Sequence, residues 1–196
     1  QNSMVKKIKE IFKGTTLILI IINLVIFAMP SKIYAANTDS NILEKQIEKV
    51  VNNKVKETDS EKKKLKKLFD YIEKKYDYKR VMGFEAYKGW EKDYALEMYT
   101  EKKGSCYHFA AAYAFLAKKA TGYKVRIVIG KTNGFSGALQ EHAWTEINID
   151  SKWYICDSNM DKYAENSSGK YFLKKKSKLK NIYNNYKSVQ YCTVIL

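Results

Sequence analysis

The sequence predicts an α+β domain, on two observations. Apolar residues recur at three- and four-residue steps through the first part of the chain, the amphipathic helical period. After Gly122 the period falls to two, the signature of half-buried strands, so helices precede an antiparallel meander. Composition agrees. At 196 residues, with 45% hydrophobic and 14% aromatic side chains, the chain suits one globular domain and excludes wholesale disorder.

The elements are expected in chain order. Gln1-Asn2-Ser3 precedes Met4, the expected natural start. Lys6, Lys7, Lys9 and Lys13 form a basic head, Leu17 to Met29 is apolar but for Asn23, and Pro30 breaks the run before Tyr34-Ala35-Ala36. This reads as a secretory signal peptide over residues 1–36, cleaved after Ala35 or Ala36, with an uncleaved membrane anchor as the alternative. A helical segment over 37–68 follows, with Leu43, Ile47, Val50 and Val51 on one stripe. Thr58-x-x-Glu61 reads as a capping box opening a second helix that carries Leu65, Leu68, Phe69, Ile72 and Tyr76. Residues 78–90 lack a period and hold two glycines, hence a loop. A short helix over Lys92–Lys102 stops at Gly104, and Ser105 caps the next, Cys106 to about Ala120, which Gly122 ends. Strands are expected at 123–129, 141–149, 152–157 and 191–196, with a hairpin turn at Asp150-Ser151. The catalytic domain is expected to span 69–196.

Charge restricts the partners. The chain holds 36 basic and 21 acidic residues, a formal +15. Without residues 1–36 there remain 31 basic and 20 acidic residues, about +11. A basic extracytoplasmic protein is drawn to anionic cell-surface polymers. No nucleic-acid motif accompanies the charge, so no nucleic acid is expected, and the membrane enters only through an uncleaved N-terminal segment. The lysine runs at 62–67 and 174–180 read as solvated faces. Lys, Asn, Ile and Tyr bias fits an AT-rich bacterial source. Secreted or cell-surface localisation follows from the leader.

Three residues carry chemistry. Cys106 sits at a predicted helix start, where the dipole and unpaired amides favour the thiolate, the nucleophilic form. His142 heads the strand His142-Ala143-Trp144, and Asp157 ends the partner strand after Trp153-Tyr154-Ile155-Cys156. Adjacent hairpin strands bring the two together, with Asp157 accepting the imidazole N–H. Taken singly, each has a plainer reading: a buried thiol, a structural histidine, a turn aspartate. His108, two residues beyond Cys106, should face away from it. Asp157-Ser158-Asn159-Met160-Asp161 opens like a calcium loop, but Lys162 stands where the loop needs glycine and Ser168 where it needs glutamate. No metal and no cofactor is therefore expected. Cys156 and Cys192 either pair as a disulfide or stay free.

The runs Lys103-Gly104-Ser105-Cys106-Tyr107-His108-Phe109-Ala110, His142-Ala143-Trp144-Thr145-Glu146-Ile147 and Lys152-Trp153-Tyr154-Ile155-Cys156-Asp157 resemble the transglutaminase-like superfamily, the papain-like enzymes of chain order Cys, His, Asp. The likeness covers about residues 69–160. It implies a core with the nucleophile helix packed on an antiparallel sheet, Cys106 as nucleophile, His142 as base and acid, and Asp157 as the orienting group. It further implies a cysteine-dependent acyl-transfer enzyme acting on carboxamide or peptide bonds in protein or cell-wall peptide, by hydrolysis or by cross-linking. The Cys106 N–H is the expected oxyanion donor, with Trp90 a candidate for a second. The alternative is a non-catalytic binding or cationic adhesion module on the same fold.

Overall fold

The computed structural model describes residues 31–183, 186 and 190–196. The basic head and apolar run of the expected leader lie outside the described residues, and Ala35-Ala36 falls within the first helix, α1 (Ser31–Lys54). The chain divides between Asp39 and Ser40, and Ser40–Leu196 holds the fold. Among the described residues no helix is long and apolar enough to cross a membrane.

From Ser40 onward α1 buries Leu43, Ile47, Val50 and Val51, the expected stripe. Helix α2 (Glu61–Lys75) buries Leu65, Leu68, Phe69 and Ile72. Its cap is Ser60, whose Oγ accepts the Lys63 N–H, rather than Thr58. Asp59 decides the shift: its carboxylate takes the Lys56 N–H at 2.9 Å and ion-pairs with Lys63 and Lys67, so the chain turns two residues later than the capping-box pattern indicates.

The next elements are β1 (Asp77–Tyr78), α3 (Trp90–Glu101), β2 (Lys103–Gly104) and α4 (Cys106–Thr121). Strands β1 and β2 pair in parallel, Tyr78 opposite Gly104, a long-range contact too short to leave a periodic signal. Helix α4 is buried on nearly every side from Cys106 to Ala117, which its alanines make feasible by letting neighbours approach closely. Gly122 closes it in the left-handed conformation at φ 70°.

The sheet comprises β3 (Lys124–Thr132), β4 (Gln140–Ile149), β5 (Lys152–Cys156) and β6 (Gln190–Thr193), antiparallel and in the order β5-β4-β3-β6. Asp150 and Ser151 turn the β4–β5 hairpin at positive φ. One sheet face packs on α4: Thr145 Oγ1 donates to the Ala110 carbonyl at 2.8 Å, and Ala143, Ile147, Ile127 and Cys156 join the main core. The opposite face carries Val128, Trp144 and Ile155 under a second cluster built from Met160, Tyr171, Leu179 and Tyr183. A helix that the sequence pattern does not announce, α5 (Ser158–Tyr163), follows β5.

The register separates Cys156 from Cys192. Cys156 stands opposite Thr145, Thr145 opposite Ile127, and Ile127 opposite Cys192. Both cysteines therefore occupy the outer strands of one row, about 14 Å apart at the usual strand spacing, beyond the reach of a disulfide. All three cysteines are free.

Candidate active site

Cys106 is placed by the start of α4. Ser105 is the N-cap, in extended backbone, and Cys106 is the first helical residue, so its amide belongs to the unpaired donors of a helix start. The cap is reciprocal in an unusual way. His108 occupies the position usually held by glutamate or glutamine, and its Nδ1 accepts the Ser105 N–H at 3.1 Å and lies 3.0 Å from Ser105 Oγ. With Nδ1 accepting, Nε2 bears the proton and donates to Glu97 Oε2 at 2.9 Å. Burial lowers the pKa of His108, and the opposing pull of Glu97 is smaller. His108 thus stands outside the expected triad, and instead fixes the helix end that presents Cys106. Gly104 makes room for it: a Cβ there would lie 2.4 Å from His108 Cγ.

His142 and Asp157 come together as the hairpin predicts. His142 Nε2 and Asp157 Oδ2 are 2.6 Å apart, and both side chains are almost wholly buried. This leaves Nδ1 as the ring nitrogen free for a thiol. Burial alone would lower the His142 pKa. The adjacent Asp157 charge and hydrogen bond outweigh it, the Cys106 side chain adds to them, and the result is a value pushed up to about 10. Around the imidazole stand Phe135, edge-on at 5.3 Å between ring centroids, and Trp144, near-parallel at 6.1 Å. Trp144 is held in turn by Glu146, which accepts its Nε1–H at 3.2 Å. Glu146 also takes Arg126 Nη2 at 2.6 Å and the Tyr186 hydroxyl.

Asp157 does more than orient the imidazole. Its Oδ1 accepts the Met160 N–H at 2.9 Å, capping α5, and its Oδ2 also accepts the Tyr183 hydroxyl at 2.9 Å. No sequence signal marks Tyr183 for this role, since it lies 26 positions further on, in a tail rich in lysine and asparagine. The stretch after Asp157 is helical, and Asp161 is occupied by the N–H groups of Gly169 and Tyr171 at 2.7 and 2.8 Å.

Cys106 and His142 share one cavity of about 500 Å³, whose wall includes Asp77, Tyr78, Phe135, Asn159 and Tyr163. A second arm of about 890 Å³ runs from Cys106 past Ser105 and Tyr107 along the loop at Arg80–Ala86. Tyr78, Gln140 and Glu141 border both arms, so Cys106 sits at their junction. Trp90 is not brought to either arm. It starts α3 and packs edge-on against Phe84 and Tyr107 at 5.0 and 6.2 Å, among the buried aromatics beneath the loop. The structure thus gathers Cys106, His142 and Asp157 and leaves Trp90 in the core.

A thiol at a helix start and an imidazole paired with a buried carboxylate therefore border one open cleft. The sequence matches the family model of the transglutaminase-like superfamily over residues 48–158, and the chain belongs to that superfamily, which is generally cysteine-dependent. Three solved structures are similar. A TGase aligns at 19% identity and TM-score 0.42, over 62% of this chain and 31% of that one. A candidate cysteine protease from Cytophaga hutchinsonii aligns at 14% identity and TM-score 0.47, over 77% and 48%. A Rad4–Rad23 complex bound to a 6-4 photoproduct UV lesion aligns at 13% identity and TM-score 0.43, over 63% and 35%. The chain thus spans less than half the length of each. No curated protein matches it significantly.

Proposed function

We propose that the protein is an exported cysteine-dependent acyl-transfer enzyme acting on peptide or carboxamide bonds in protein or cell-wall peptide. The observation that carries this reading is the buried His142–Asp157 pair at 2.6 Å on a cavity that also contains Cys106. Cys106 Sγ gives its proton to His142 Nδ1, and the resulting thiolate attacks the substrate carbonyl carbon. Negative charge moves to the carbonyl oxygen, which the Cys106 N–H receives at the mouth of α4. The tetrahedral centre collapses as the C–N bond breaks and His142 returns the proton to the leaving nitrogen, giving a thioester. Water then yields the acid, or an amine yields a new amide, and either restores the thiol. Export is supported by the basic head and apolar run before Pro30, and the charge of about +11 that remains without residues 1–36 favours work at an anionic surface.

The test is the alkylation rate of Cys106 against pH, located by peptide mass mapping. Rapid labelling well below pH 8, slowed at least tenfold by His142→Ala, is expected from a thiolate–imidazolium pair. An ordinary thiol profile, equal in both proteins, would overturn the reading.

A further inference from the structure

We infer that Asn159 forms an acceptor site for an oxygen on the amine half of the substrate, so that the protein handles bonds to the nitrogen of an amino-acid residue in preference to simple amines or primary carboxamides. The inference rests on the acyl-transfer reading of Cys106, His142 and Asp157. Among the described residues four buried side-chain polar atoms lack a hydrogen-bond partner, on Glu61, Glu73, Ser158 and Asn159. Of these residues Asn159 alone belongs to the cavity wall beside Cys106 and His142. The residue is 2% exposed and its Nδ2 donor is unused. A buried donor without an acceptor costs free energy, and a ligand oxygen removes that cost. The amide plane turns readily about the Cβ–Cγ bond, so it can meet an oxygen entering the cavity.

The two arms at Cys106 indicate which half of the substrate this oxygen comes from. Cys106, whose N–H receives the oxyanion, borders both arms, and the arm lined by Ser105 and Tyr107 does not reach His142. His142, which delivers the proton to the leaving nitrogen, borders the other arm together with Asn159. The leaving amine therefore departs past His142 into the Asn159 arm. By microscopic reversibility an acceptor amine enters there as well. An amino-acid amide carries its carbonyl one carbon from the amine, where Asn159 can bind it. Ammonia and alkylamines have no such oxygen.

The experiment acylates Cys106 with p-nitrophenyl acetate and offers the acyl-enzyme glycinamide or propargylamine, an oxygen-free amine of comparable basicity. In each case the amine nitrogen bonds to the thioester carbonyl, the C–S bond breaks, and the amine proton passes to His142. The readout is the ratio of acetylamide to acetate formed. The expected result is a preference for glycinamide of about tenfold, abolished by Asn159→Ala and by Asn159→Asp, the two amines being compared within each protein so that any change in acylation rate cancels. A circular dichroism spectrum matching that of the unmodified protein shows that the variants are folded. Equal partition in the unmodified protein, or a preference that survives both variants, would overturn the Asn159 site and leave the enzyme reading intact. No acetylation at Cys106 would overturn the enzyme reading and the site with it.

Discussion

Asp157 holds three donors at once: His142 Nε2–H, the Tyr183 hydroxyl and the Met160 N–H. Its charge is the chief reason that His142 keeps its proton, despite the opposing effect of burial. Since the folded pKa of His142 is raised to about 10, the stabilisation that its charge provides is complete below the ordinary imidazole value near 6.5, and is lost as pH rises through about 10. Asp157→Asn retains an oxygen for the cap of α5 but removes that charge. The alkaline limb of p-nitrophenyl acetate turnover is expected to move down by about one to three pH units. The limb is measured by stopped-assay rates from pH 6 to 11, and a limb that stays in place would mean that Asp157 does not set the protonation of His142. Tyr183→Phe leaves the carboxylate charge in place, and so separates orientation from charge in the same assay.

At the scale of elements, the short parallel pair β1–β2 and the cap of α4 form one device. Gly104 pairs with Tyr78 on the cleft wall, while His108 folds back over Gly104 to hold Ser105. Gly104→Ala forces the 2.4 Å contact with the His108 ring, so the cap or the strand pair must give way. We expect a loss of about 1–3 kcal/mol in urea unfolding and a fall in Cys106 alkylation rate larger than the unfolded fraction explains. Gly104→Ala combined with His108→Ala loses the ring but keeps a Cβ 2.5 Å from the new methyl, so it should recover neither the stability nor the alkylation rate. Wild-type alkylation in the single variant would show that the cap does not position the thiol. These same elements mark what could be read from sequence. The long helices and the β4–β5 hairpin announce themselves through period, caps and turn residues, and with them Cys106, His142 and Asp157. Strands β1 and β2 are two residues each and exist only through their mutual pairing, so no local pattern encodes them. Helix α5 is six residues, capped by a side chain that reads equally well as the end of a strand. Asn159 and Tyr183 escaped for a related reason: their part in the site depends on where the chain after β5 returns, not on their neighbours in sequence.

Over the whole of Ser40–Leu196, a chain with an excess of positive charge holds one acidic group against its chemistry. Glu73, on α2, is half-buried, and burial together with the nearby Asp161 charge raises its pKa to about 8. Asp161 is fixed in place, since it takes the N–H groups of Gly169 and Tyr171 and so ties α5 to the segment leading back across the sheet. Lys66, close to Glu73, offsets the effect only in part. The folded pKa lies above the unfolded value of 4.5, so the native state binds more protons between the two. Stability from this group is therefore complete below about pH 4.5 and declines as pH rises through about 8. The decline opposes that of His142 in no part of the range; both weaken the fold as the solution turns alkaline, Glu73 first. Glu73→Gln keeps the shape of the side chain and removes its ionisation. The variant is expected to match wild type in thermal midpoint near pH 5 and to exceed it near pH 9, with the gap opening between those values. Parallel midpoints across the whole range would mean that solvent reaches Glu73 and that α2 and α5 meet without the constraint of a buried carboxyl.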